Sequence, residues 1–366
     1  MGLVDDVSIL RREEDSTGRP APETKVLMTT VSDVDQRPLA GAKAWLITAG
    51  MAGMDVQVKG VAEALGLDYE IKHVSPRGIW RLMAPWGPLS PSERFGRPGS
   101  QFAPPWPDVA ISLGRIGAPY LREVRRRAGP ATFTLAMQDA KAGLSLADMI
   151  WVPEHDRLRG PNVFTTLASP HGFSAERIAA LRNQMPSAIA ALPTPRVAVV
   201  LGGRNAVYKW LDDDYARLSR ALTSIGELGA SFLITPSRRT QPALIEAVDA
   251  ATRSFPRVLY DFTGHNPYGD FLAQADVFVV TADSVNMTGE ACATGKPVFV
   301  FTPSGGSAKF RRYHQALQAY GATRPLPDRL DSLPQWSYEP LHSTEDIARE
   351  LERRWLAHRQ KHSGGL

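Results

Sequence analysis

Short apolar runs alternate with stretches of helical periodicity along most of the chain, the pattern of repeated βα units. Residues 44–48 read as a strand, 50–53 as a glycine turn, 56–65 as an amphipathic helix and 69–74 as the next strand. Segment 76–107 breaks the pattern with many prolines and with Trp80, Trp86 and Trp106, and is expected to be a long irregular excursion. Alternation resumes with strand 109–113, helix 120–127, strands 132–137 and 149–152, and helix 174–183, after which Pro186, Pro193 and Pro195 mark a linker. A second series follows, with strands 196–201, 230–235, 257–260, 276–280 and 298–301 and helices 213–228, 242–252, 268–273 and one just beyond residue 284. Ser343-Thr-Glu-Asp346, followed by Ile347, Leu351 and Trp355, is a capped amphipathic helix. The expected fold is therefore α/β, with two facing Rossmann-like doubly wound domains closed by a C-terminal helix. The boundaries drawn from the pattern are an extension over 1–40, domains over 41–192 and 193–335, and a helix and tail over 336–366.

A length of 366 residues agrees with two domains, since one core seldom covers so long a chain. The lone cysteine, Cys292, excludes a disulfide framework and a cysteine metal cluster. The N-terminus lacks a basic and apolar leader, and no apolar run is long enough to span a bilayer, so a cytoplasmic protein is expected, with peripheral contact at the inner face of the membrane left open. Net charge is only +4, yet arginines cluster at Arg122, Arg125, Arg126 and Arg127, at Arg238 and Arg239, at Arg311 and Arg312, and at Arg353 and Arg354. Such clusters suit phosphate, whereas the modest net charge and the lack of a recognised motif argue against nucleic acid.

Ligands of doubly wound sheets bind beyond the carboxyl ends of the strands, so the polar groups there carry the chemistry. In the second domain, Gly202 and Gly203 follow a strand and permit close backbone approach. Ser237, Arg238, Arg239 and Thr240 place hydroxyls and guanidiniums at the next strand end. Asp283, Ser284, Met287 and Thr288 form a helix start whose N–H groups suit a diphosphate, and Glu290 is positioned for ribose hydroxyls. Together these ends predict a nucleoside-diphosphate cradle. In the first domain, Gly50, Gly53, Gln57, Gly114, Arg115 and Gln138 sit just past strands and predict an acceptor side. Asp139 and Asp156 are the carboxylates there that suit a general base, with His155 as the competing choice. Each of these residues is also an ordinary turn stabiliser by type. No Asp-x-Asp pair stands at a strand end, so no metal and no other cofactor is expected.

Ser112-Leu-Gly-Arg115, Gln138-Asp139, Pro153-Glu-His-Asp-Arg-Leu-Arg-Gly-Pro-Asn162, Thr235-Pro-Ser-Arg-Arg-Thr240, Asn266-Pro-Tyr268, the run from Thr281 to Glu290 and Lys309-Phe-Arg-Arg-Tyr-His314 resemble the bacterial branch of the "elongated mitochondria" family of mitochondrial fission proteins. The similarity covers roughly residues 42–330. That family is similar to glycosyltransferases of GT-B architecture, which implies the nucleotide-sugar in the C-terminal domain and the acceptor in the N-terminal one. Where the family pattern has His after the second glycine of the first loop, this chain has Met54, with Asp55 beside it as a substitute.

The resemblance implies a metal-independent GT-B glycosyltransferase that uses a nucleoside-diphosphate sugar, uridine-linked, with an anionic or lipid acceptor at a membrane surface. The first alternative is a non-catalytic membrane adaptor, as the plant relatives imply by recruiting a fission dynamin. The second is a nucleotide-sugar epimerase.

Overall fold

The computed structural model describes residues 37–203 and 205–363. The expectation of an N-terminal extension falls mostly on residues 1–36, outside the described residues. From Arg37 onward the chain forms one compact unit of two lobes.

The first lobe contains β1 (Lys43–Thr48), α1 (Ala52–Ala64), β2 (Asp68–His73), α2 (Gly78–Met83), β3 (Val109–Leu113), α3 (Gly114–Ala128), β4 (Phe133–Met137), β5 (Met149–Pro153) and β6 (Val163–Thr166). Helices α4 (Ala175–Arg182) and α5 (Ser187–Ala190) lead to the second lobe. There β7 (Arg196–Leu201), α6 (Asp212–Glu227), β8 (Ser231–Pro236), α7 (Pro242–Thr252), β9 (Arg257–Leu259), α8 (Tyr268–Gln274), β10 (Val277–Thr281), α9 (Val285–Cys292), β11 (Val298–Phe301), α10 (Ala308–Tyr320) and β12 (Thr323–Pro325) follow, and α11 (Ser343–Ser363) ends the described chain.

Each lobe is built on a parallel six-stranded sheet, in the orders β2-β1-β3-β4-β5-β6 and β12-β11-β10-β7-β8-β9. Strands such as β3, β4 and β10 are buried at every position, because helices cover both faces and neither face can be left polar. The chain changes direction across the sheet between β1 and β3 in the first lobe and between β7 and β10 in the second. Those two crossovers define the crevices in which an open α/β sheet holds ligands. This is the expected pair of Rossmann-like domains in the GT-B arrangement.

Helix α11 does not close the second lobe. Its apolar stripe, Ile347, Ala348 and Leu351 with Trp355 beside it, packs into the core of the first lobe against α1 and Leu39. Helix α3 starts at Gly114, six residues before the expected start, and runs through Pro119. The short strands β6 and β12 and helix α10 escape the pattern reading; β6 and β12 have four and three residues, and α10 carries Lys309, Arg311 and Arg312 across its apolar stripe. The 76–107 excursion divides in two. Phe95 and Phe102 are buried with Trp45 and Tyr120, with Trp106 partly buried against them, whereas no residue of α2 is buried.

Candidate functional site: the interlobe cleft

The carboxyl ends of the strands of both sheets border a cavity of 390 Å³ between the lobes. Gln57, Gln138, Asp139, His155 and Asp156 line it from the first lobe, and Val285, Asn286, Lys309, Phe310 and Tyr313 from the second. A cavity of similar size, 380 Å³, lies between α1, the 171–177 segment and the start of α11, away from the strand ends. The strand-end rule selects the first.

Two sets of contacts span the cleft. Lys309 Nζ pairs with Asp156 Oδ1 at 2.7 Å, and the Arg312 guanidinium donates to the His155 carbonyl at 3.2 and 3.3 Å. An amide row also runs across it: Gln138 Nε2 donates to Gln57 Oε1 at 3.4 Å, and Gln57 Nε2 to Asn286 Oδ1 at 3.5 Å. Gln138 holds φ of 68°, a left-handed conformation that a non-glycine residue keeps only where its surroundings impose it. Its N–H donates to the Trp151 carbonyl at 2.7 Å, which fixes the turn and aims the side chain at the cleft.

The three residues considered as base have different fates. Asp139 accepts from the Lys141 N–H at 2.8 Å and pairs with its ammonium, and Asp156 is engaged by Lys309. His155 is 8% exposed, its ring lies edge-on to Tyr313 at 5.2 Å, and burial, with help from the Lys309 charge, pushes it down to about 4. It is therefore neutral at physiological pH.

On the second lobe, Gly202, Gly203 and Asp283 meet at the β7/β10 crossover. A Cβ on Gly202 would fall 2.1 Å from the Asp283 carboxylate, and one on Gly203 would fall 2.4–2.6 Å from Arg239 atoms, so the glycines admit the protein's own groups. The Gly202 N–H donates to Thr281 Oγ1 at 2.8 Å. Burial raises the Asp283 pKa, while the Thr281 hydroxyl, the N–H groups of Asp283 and Gly203, and the Arg239 charge oppose the rise. Thr240 Oγ1 donates to the Leu201 carbonyl and accepts from the Ser237 N–H at 2.8 Å, and Ser237 Oγ accepts from the Arg239 N–H at 3.3 Å. These two hydroxyls thus hold the β8 turn against the β7 loop. The side chains of Arg238 and Arg239 are exposed and make no hydrogen bond or ion pair among the described residues. Arg204 lies outside the described residues.

Ser284 caps α9 by accepting from the Met287 N–H at 3.4 Å, and Thr288 Oγ1 donates back to the Ser284 carbonyl at 2.8 Å. The N–H groups of Val285 and Asn286, in the first turn of α9, have no intrahelical carbonyls, and both residues line the cleft. Glu290 is 8% exposed and accepts from the Tyr268 hydroxyl, and burial raises its pKa. A ribose hydroxyl would have to join or replace Tyr268. Among the described residues no three His, Cys, Asp or Glu side chains converge to hold a metal ion.

Residues 52–355 match the family described as Mitochondrial fission ELM1, which is most of the chain, from α1 into α11. The chain belongs to that family. It is 28% identical over 276 residues to the mitochondrial fission protein ELM1 of Arabidopsis thaliana, covering 69% of this chain and 64% of the relative. It is 30% identical over 157 residues to the uncharacterized protein RP120 of Rickettsia prowazekii (strain Madrid E), covering 41% of this chain and 44% of the relative. The matches thus span less than two thirds of the length of these relatives. Solved structures similar to it include a UDP-GlcNAc 2-epimerase from Methanocaldococcus jannaschii, at 12% identity and a TM-score of 0.48 over 85% of this chain and 99% of that one. MurG from Acinetobacter baumannii aligns at 13% identity and a TM-score of 0.47, over 87% of this chain and 95% of that one.

In this ELM1-family chain Met54 fills the first-lobe crossover, its Cε 3.2 Å from where a Cβ on Gly114 would lie; Gly114 itself has φ of 76°. Gly53 faces Asn286 across the cleft, and Gly50 faces the ring of His73. Arg115 points elsewhere, donating to the Ala84 carbonyl at 2.9 Å to hold the excursion. The pattern reading missed Asn286, Lys309, Arg312, Tyr313 and Tyr268 as site residues. The period of α10 would have placed Lys309, Arg312 and Tyr313 together; the contact of Tyr268 with Glu290 joins α8 to α9 and leaves no local signal.

Proposed function

We propose that this chain is a metal-independent glycosyltransferase of GT-B type that takes a nucleoside-diphosphate sugar, uridine-linked, in the second lobe and an acceptor in the first. The observation that carries this reading is the pair Arg238 and Arg239, exposed at the end of β8 next to the sheet crossover and making no ion pair among the described residues. Adjacent guanidiniums at that place repel each other until an anion meets them, and a diphosphate accepts their paired donors. In this scheme the arginines and the N–H groups at the start of α9 stabilise the departing diphosphate, while Glu290 holds the ribose. The acceptor is a lipid or anionic compound at a membrane surface, approached through the exposed apolar residues of α2.

A thermal-shift series with uridine diphosphate, other nucleoside diphosphates and their sugars tests this. The expected result is stabilisation of the wild type, by about 2.7 kcal/mol at a hundredfold excess over Kd, and loss of that gain in Arg238→Ala and Glu290→Ala. No shift with any nucleotide overturns the reading. Analysis of the products separates transfer to a lipid extract from hydrolysis or epimerisation of the donor.

A second reading, a membrane adaptor without catalysis, draws on the ion pairs that engage Asp139 and Asp156. It predicts partner binding with no turnover of any donor.

A further inference from the structure

Transfer to a hydroxyl needs a group that takes the hydroxyl proton, and the cleft carboxylates Asp139 and Asp156 are both paired with lysines. Another cluster stands beside the first-lobe crossover, at the carboxyl ends of β1 and β2 and outside the lining of the cleft cavity. Asp55, in the first turn of α1, accepts from Thr48 Oγ1 at 2.6 Å through one oxygen and contacts His73 Nε2 at 3.2 Å through the other. Thr48 Oγ1 in turn accepts from the Gly50 N–H at 3.1 Å, so its one proton is directed at Asp55. An ionised carboxylate only accepts, so in the neutral imidazole this contact selects the tautomer with the proton on Nε2 and the lone pair on Nδ1. The His73 side chain is 57% exposed. Gly50, with φ of 74°, leaves open the space over the imidazole: a Cβ there would lie 3.6–3.8 Å from ring atoms. Three residues on, in the first turn of α1, Gly53 faces Asn286 of the opposite lobe.

We propose that His73 is the general base of this site, oriented by Asp55. The inference rests on the glycosyltransferase reading above. In the step, His73 Nδ1 removes the acceptor hydroxyl proton as that oxygen bonds to the anomeric carbon. The bond from that carbon to the diphosphate oxygen breaks with its electron pair leaving on the diphosphate. The imidazolium then returns the proton to solvent. Asp55 acts as a positioning residue, fixing the tautomer and holding the ring.

The test measures nucleotide release from a uridine-diphosphate sugar with a lipid-extract acceptor, alongside the thermal shift with uridine diphosphate. His73→Ala should lower the rate at least about a hundredfold while keeping the nucleotide-induced shift, and free imidazole, which fits the space beside Gly50, should restore part of it. Asp55→Asn should lower the rate about tenfold or more with no imidazole rescue, since its own histidine still occupies the space. The proposal is overturned if His73→Ala keeps the wild-type rate within a few fold, if imidazole fails to restore it, or if a wild type that binds nucleotide turns over no donor. A wild type with no nucleotide shift at all removes the glycosyltransferase reading itself, a result distinct from the others.

Discussion

At the scale of single residues, the site is dominated by groups whose ionisation is shaped by burial. Glu290 sits almost out of water with the Tyr268 hydroxyl as its donor, and its pKa is raised because the charged form is poorly solvated. The native state thus holds its proton to higher pH than the unfolded chain does, so this residue's contribution to stability falls as pH rises from the ordinary carboxylate range through the raised value. Glu290→Gln should therefore melt at or above the wild-type temperature at pH 7 and yet show a smaller nucleotide shift; denaturation with and without uridine diphosphate separates the two effects. Tyr268→Phe should cost about 1–3 kcal/mol by removing the donor to a buried acceptor. His155 and His171 behave in the opposite sense. Burial lowers both to about 4, so below the ordinary imidazole range the unfolded chain takes up protons that the native state refuses. Stability should drop as pH falls from about 6.5 to 4, and His171→Phe or His155→Gln should flatten that drop in urea titrations.

At the scale of elements, the parallel strands and most helices were legible because burial on both sheet faces forces continuous apolar runs, and turn residues mark their ends. Strand 109–113 and helix 242–252 show this directly, falling on β3 and α7 as read. What the sequence could not disclose are contacts between elements distant along the chain. Pro119 reads as a breaker, yet α3 continues through it with Gly117, Ala118, Pro119 and Tyr120 buried. Gly202 and Gly203 invite a phosphate by type, and only the fold shows Asp283 and Arg239 in the space they leave. Helix α11 was legible as an amphipathic helix, whereas its destination was not: a stripe of apolar residues does not say which lobe it covers. Since Leu351 is fully buried among first-lobe residues, Leu351→Ala should cost about 2–5 kcal/mol. That loss, read by hydrogen exchange, should loosen β1 and α1 more than the second-lobe strands.

At the scale of the whole molecule, charge and apolar exposure coincide on one side of the first lobe. The arginines of α3 do not supply that charge: Arg122 donates to the Pro85 and Trp86 carbonyls, Arg125 pairs with Asp148, and Arg126 and Arg127 pair with Glu123. Arg77 and Arg81 flank Ile79 and Leu82 along the chain, Arg94 and Arg97 follow in the same excursion, and all four are exposed with side chains that make no hydrogen bond or ion pair among the described residues; Ile79, Leu82 and Trp86 are 61, 77 and 67% exposed. The one acid within residues 76–107, Glu93, accepts from the Tyr120 hydroxyl at 2.7 Å. Arg115, just past β3, ties this segment to the first-lobe crossover through the Ala84 carbonyl. No helix among the described residues is long and apolar enough to cross a membrane, so any bilayer contact through these elements is at the interface. Indole and leucine side chains gain by entering that interface, and each unpaired arginine adds about 1 kcal/mol toward anionic headgroups. Sedimentation with anionic vesicles should therefore pull down the wild type at low salt and release it as salt rises. Arg77→Ala with Arg81→Ala should weaken binding roughly tenfold or more, Leu82→Ser with Trp86→Ser should abolish it without unfolding, and Arg126→Ala should leave it unchanged because that guanidinium is already engaged by Glu123. A wild type that stays in the supernatant with anionic vesicles at low salt would show that α2 meets something other than a bilayer.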